Sequence, residues 1–140
     1  MIAWSLAPGL GLEAPPGPPA DSLLLTDPVT GEAVPVPLLD PGLAGPLLAL
    51  RGGPRTEDEL VASAAPFGEL LERQLTLLLH RGALALSCRH DGRELLRVQV
   101  GGELGTVVRR RPEPADRIRL SRFACLRRVG GELVVESPTG

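Results

Sequence analysis

The chain contains no lysine, no asparagine and no tyrosine. All fifteen basic residues are arginine, and the aromatic side chains are Trp4, Phe67 and Phe123. That bias is what a GC-rich coding sequence produces, and it says little about function. Net charge is −2, so no global field draws the chain to nucleic acid. The two cysteines, Cys88 and Cys125, have no second ligand or partner at a telling spacing. Both fall on apolar-alternating stretches and read as small buried hydrophobes in a reducing cytosol. No basic and then apolar targeting segment opens the chain, and no apolar run is long enough to span a bilayer. These absences describe a cytoplasmic protein without a membrane partner.

Catalytic machinery is missing in the same way. His80 and His90 are the two histidines, and neither has an Asp–Ser or Asp–Cys partner at an informative spacing. They read as solvated side chains, His80 at a helix end and His90 in a turn. The glycine pairs at 52–53, 101–102 and 130–131 lack the strand and helix that frame a phosphate loop, so they read as turns. No catalytic residue, metal ligand or cofactor site is assigned within the chain.

What is present is a single domain's worth of leucine, alanine and valine, 43% hydrophobic over 140 residues. Ile2–Leu6 is a short strand. The segment from Pro8 to Pro19, PGLGLEAPPGPP, reads as loop because its prolines and glycines break regular structure. Ser22–Thr26 and Ala33–Leu38 form a hairpin across Asp27-Pro28-Val29-Thr30-Gly31. Asp40-Pro41 opens a helix near Leu43, with Gly45-Pro46 able to delay its start. Leu43, Leu47 and Leu50 share one of its stripes.

The segment from Pro46 to Val61, PLLALRGGPRTEDELV, is the sharpest signal. A leucine-rich turn meets Gly52-Gly53, and Thr56 with Glu59 then makes a capping box. The helix it starts runs to about Ala65, with Leu60, Val61 and Ala64 inward. A third helix, Phe67 to Arg81, buries Leu71, Leu75, Leu78 and Leu79 and closes at Gly82. The period then becomes alternating. Leu84, Leu86 and Cys88 lead through His90-Asp91-Gly92-Arg93 to Leu96, Val98 and Val100, a hairpin signal. Three helices followed by a hairpin describe a winged helix-turn-helix. A last hairpin, from about Arg117 to Glu136, turns at Val129-Gly130-Gly131.

Such a fold can read DNA, but a recognition helix needs donors on its outer face. The third helix offers Arg73, Gln74 and Arg81 among Glu69 and Glu72, whose carboxylates oppose phosphate. Arg109-Arg110-Arg111 is partly neutralised by Glu113 and Asp116. DNA binding therefore ranks below peptide binding. The strand–strand–strand–helix–helix–helix order leaves one strand of a small sheet unpaired, Ala33–Leu38, beside the third helix. An extended peptide can add to that edge. The residues placed to meet it are Ala33, Val34, Val36 and Leu38 on the strand and Leu71, Gln74, Leu75 and Leu78 on the helix. Pro35 and Pro37 stand two apart, so both missing donors lie on one side of the strand. Proline is tolerated on an outer edge, so these two should face outward.

Two segments carry a resemblance. LLALRGGPRTEDELV followed by a helix closing LLLHRGAL, within residues 46–61 and 75–84, resembles the PqqD-type RiPP recognition element. RLSRFACLRRVGGELVVESP, from Arg119 to Pro138, is similar to the segment linking recognition domains in SagB/ThcOx-type dehydrogenases. The resemblance implies an α+β chain. Residues 1–100 would form a PqqD-like winged helix-turn-helix with a three-stranded sheet and three helices. Residues 101–116 would be a connector, and 117–140 a hairpin beginning a second, truncated winged-helix unit. It also implies a precursor leader peptide as partner in azole-forming peptide biosynthesis, with a cyclodehydratase of the same pathway and homodimerisation as further interactions. FMN is implied for a following flavin domain, not for these residues. A purely structural or dimerisation role within the dehydrogenase is the alternative.

Overall fold

The computed structural model describes residues 1–17 and 21–100, together with two strands at 125–129 and 132–136. The strands are β1 Ile2–Leu6, β2 Gly11–Glu13, β3 Ser22–Thr26, β4 Ala33–Pro37, β5 Arg55–Thr56, β6 Leu84–His90, β7 Arg93–Gln99, β8 Cys125–Val129 and β9 Glu132–Glu136. The helices are α1 Ala44–Leu48, α2 Glu57–Ser63 and α3 Gly68–His80, with single 3-10 turns before and after α1. The fold is α+β. One antiparallel sheet has the order β5-β1-β6-β7, a second β2-β3-β4, and β8 pairs with β9.

Local chemistry explains the helices. Asp40 accepts a hydrogen bond from the Gly42 N–H (2.7 Å) and starts the turn into α1. α1 begins at Ala44, so Pro46 does not delay it. Pro46 falls in the first turn, where a missing N–H costs nothing. In the capping box, Thr56 Oγ1 accepts from the Glu59 N–H (3.2 Å) and Glu59 accepts from the Thr56 N–H (2.8 Å). Those bonds from Thr56, backbone first, hold the Glu59 carboxyl below its ordinary range, with Arg55 assisting. Thr56→Ala is expected to cost about 1 kcal/mol in chemical denaturation. Because the folded carboxyl titrates lower than the unfolded one, the Glu59 contribution is complete above the ordinary carboxylate range. It is lost as pH falls through the lowered value. Glu59→Gln should flatten that part of the acid-stability profile.

α3 ends in a Schellman motif. The Ala83 N–H donates to Leu78 C=O (2.9 Å) and the Gly82 N–H to Leu79 C=O (3.0 Å). Gly82 has φ +71°, and a Cβ there would lie 3.1 Å from the Val100 carbonyl oxygen. Gly82→Ala is expected to destabilise by about 1–2 kcal/mol, read from a thermal or urea midpoint. Asp91 (φ 48°) and Gly92 (φ 75°) make the β6–β7 turn, the two-residue geometry that suits twisted strands.

The strand pairing departs from the sequence reading in one respect. Ile2–Leu6 does not join the small sheet; it pairs with β6 and with the short β5. Its place is taken by β2, inside the Pro/Gly-rich segment expected to be loop. Between Pro8 and Pro15 no proline intervenes, and Leu12 opposite Leu25 supplies a buried apolar anchor. Gly11 sits opposite Thr26, where an added Cβ would lie 2.5 Å from the Thr26 hydroxyl and force it to shift.

One core joins both sheets to the helices. It contains Trp4, Leu12, Leu23, Val36, Leu43, Leu47, Leu50, Leu60, Leu71, Leu75, Leu78, Leu79 and Leu84. The expected stripe of Leu43, Leu47 and Leu50 is buried throughout. Cys88 is a correction: it is exposed, and its neighbour Ser87 is buried. The row Ile2–Cys88–Leu96 crosses three strands at the end of the sheet away from the core, and Ile2 and Leu96 are exposed with it. His80 is half-buried rather than solvated, while His90 is exposed beside Asp91. The connector at 101–116, with Arg109–Arg111, and the first part of the final hairpin lie outside the described residues. The described part of that hairpin pairs Cys125 with Glu136 and Val129 with Glu132.

Candidate functional site: the outer edge of β4

β4 is the edge of the small sheet, with β3 as its strand neighbour. The register fixes which way its backbone groups point. Leu38 N–H donates to Asp21 C=O (2.7 Å), and Asp27 N–H donates to Glu32 C=O (2.9 Å). Between those ends, Leu23 faces Val36 and Leu25 faces Val34. By strand alternation Val34, Val36 and Leu38 turn their backbone groups toward β3, and Ala33, Pro35 and Pro37 turn theirs outward. The two prolines therefore lie on the open side, where they cost the sheet no hydrogen bond. The outward groups are the Ala33 N–H and the carbonyls of Ala33, Pro35 and Pro37.

One of those carbonyls is already engaged. Gln74 on α3 donates from Nε2 to Pro37 C=O (3.2 Å), and its Oε1 accepts from the Leu39 N–H (2.8 Å). A residue of a neighbouring parallel strand would bond to positions 37 and 39 in the same way. A side-chain amide thus stands in for one rung of a ladder. Gln74 is 2% exposed. A buried amide without partners is costly, and the strand edge satisfies this one.

The sequence-derived site residues separate into three groups. Val36, Leu71, Leu75 and Leu78 lie together in the core, each no more than 4% exposed, with half-buried Leu38 packed against them. They support the strand and helix from beneath and do not line an open groove. Gln74 faces inward to the strand end, not outward as on a DNA-reading helix. Ala33 and Val34 are exposed at the opposite end of β4, Val34 at 54%. Sequence reasoning missed the pairing of Gln74 with Pro37 and Leu39. Its signal was a glutamine within the stripe Leu71, Leu75, Leu78, where a polar residue needs a partner.

The exposed face of α3 carries Glu69, Glu72, Arg73 and Leu77. An open depression of about 480 Å³ lies at its start, lined by Val61, Pro66, Phe67, Gly68, Glu69, Leu70 and Glu72. Two carboxylates and little polar convergence make it a poor fit for an anionic ligand. No helix among the described residues is long and apolar enough to cross a membrane. Compared with protein-family models and with curated proteins, the chain matches none.

Proposed function

We propose that this chain binds an extended peptide by strand addition to the outer edge of β4. In this reading α1–α3 and the β6–β7 hairpin form a PqqD-like winged helix-turn-helix, and the peptide is the leader of a ribosomal precursor. The observation that carries the proposal is the orientation of the edge. It presents the Ala33 N–H and the Ala33 and Pro35 carbonyls outward, with Gln74 of α3 at the Pro37 end. Main-chain hydrogen bonds of that kind are the basis of strand addition. The prolines and Gln74 leave few of them, and each is worth about 1 kcal/mol net, so binding should be weak.

The resemblance to SagB/ThcOx-type dehydrogenases supplies the context: recognition in an azole-forming pathway, with FMN and azoline oxidation belonging to another part of such an enzyme. None of the described residues is assigned to the flavin. The test is fluorescence polarisation with a synthetic leader from a precursor encoded beside the gene. Saturable binding supports the proposal, and its absence with both this chain and the intact dehydrogenase refutes it.

A second reading, a structural or dimerisation domain of the same enzyme, draws on the same prolines and on Gln74, because both protect an edge from pairing. Amide shifts at residues 33–38 on leader titration would count against it. DNA binding is disfavoured by Glu69, Glu72 and exposed Leu77 on the outer face of α3.

A further inference from the structure

We propose that Gln74 sets the register of the added strand, confining it to the Ala33–Pro35 half of β4. This inference rests on the peptide-binding reading and specifies the chemistry of the peptide. The Gln74 amide occupies the rung at Pro37 and Leu39. Beyond that point an incoming strand meets a carbonyl and an N–H that are both taken. The remaining outward groups are the Ala33 N–H, the Ala33 carbonyl and the Pro35 carbonyl, as the register with β3 dictates. The matching peptide therefore donates two N–H groups and accepts one hydrogen bond.

The spacing of those donors follows. In an antiparallel arrangement one peptide residue pairs with Ala33 in both directions, and the residue two positions earlier donates to Pro35. In a parallel arrangement the second donor comes two positions later. Either way the two required amides are separated by one residue. The peptide carbonyl facing Pro35 finds no donor, so it is not needed. A proline in the peptide is excluded at those two positions and tolerated between them, where the N–H points away from β4.

The edge itself can be altered at the surface. Pro35→Ala restores an outward N–H within the open half and adds one bond. It should tighten binding about fivefold. Pro37→Ala also restores an outward N–H, between the Pro35 and Pro37 carbonyls. In an antiparallel arrangement its acceptor belongs to the peptide residue that Gln74 excludes, so affinity should hardly change. In a parallel one it bonds the carbonyl of the residue that donates to Pro35 and should tighten binding to a like degree.

The experiment is an N-methyl scan of the synthetic leader by fluorescence polarisation. It uses the full chain and its Pro35→Ala, Pro37→Ala and Gln74→Leu variants. The expected result is two sensitive amides, two residues apart, with tighter binding by Pro35→Ala; a further gain from Pro37→Ala marks a parallel strand, and none an antiparallel one. Gln74→Leu frees the Pro37 carbonyl and should add a third sensitive amide two residues further along. Three or more alternate sensitive amides with the unaltered chain would overturn the register, as would no gain from Pro35→Ala. The scan and Pro35→Ala decide this even if Gln74→Leu fails to fold. Absence of saturable leader binding instead overturns the peptide-binding reading, and the register with it.

Discussion

Trp4→Ala is expected to lower folding free energy by about 3–5 kcal/mol, at the top of the range for truncations among the described residues. Trp4 is fully buried and sits at the centre of β1, between Leu86 of β6 and Arg55 of β5. It is the largest side chain of the core, so its removal leaves the largest void beneath the sheet. It also joins layers: its indole N–H donates to a Glu57 carboxylate oxygen (3.1 Å) in the first turn of α2. Trp4→Phe keeps most of the ring and loses that donor. It should cost less, about 1–2 kcal/mol. Urea unfolding of the three proteins checks this. A fall in midpoint at constant slope marks lost stability, whereas a changed slope marks an altered native or unfolded ensemble. Domains are stable by only about 5–15 kcal/mol, so the alanine variant should be partly unfolded well below ordinary denaturing conditions. Equal stability of Trp4→Ala and the unaltered chain would show that β1 does not pack as described.

Gln74→Leu is the second large effect, and its cause differs. The substitution is close in volume and removes a buried amide, so packing alone would make it neutral or favourable. What it removes is the partner of two backbone groups, the Leu39 N–H and the Pro37 carbonyl. An unsatisfied buried group costs about 1–3 kcal/mol. Leu39 and Pro37 are partly open to water, so the expected net loss is about 2 kcal/mol. Amide exchange gives the more local readout. The Leu39 amide should be protected in the unaltered chain and exchange rapidly in the variant, while the Leu38 amide, bonded to Asp21, keeps its protection. Unchanged exchange at Leu39 would show that Gln74 does not hold the strand end.

Both effects depend on relations that the linear sequence expresses unevenly. The helices were legible because their determinants are local. The Thr56–Glu59 capping box, the Asp40 cap and Gly82 at the end of α3 each act within one turn, and the structure uses all three. The Asp91-Gly92 turn was legible for the same reason. Strand membership was less so. Ile2–Leu6 announces a strand but not its partner, and pairing with β6 spans most of the described chain. β2 was hidden by flanking prolines that mark a loop statistically yet leave three residues free to pair. Cys88 was misplaced because alternation assigns a face but does not say how far along the strand the core extends.

The candidate site divides along the same line. The doublet Pro35, Pro37 determines by itself that both missing donors share one side of β4, since alternate residues in a strand point the same way. Composition and local motifs likewise determine a capped helical unit followed by a tight hairpin. Only the tertiary structure establishes that the proline side faces outward, because that depends on the register with β3. It also turns Gln74 from an outward-facing candidate into the amide that completes the strand edge. A side chain can replace a ladder rung only when helix and strand are held within hydrogen-bond distance, and packing of the shared core, not any local preference, supplies that proximity.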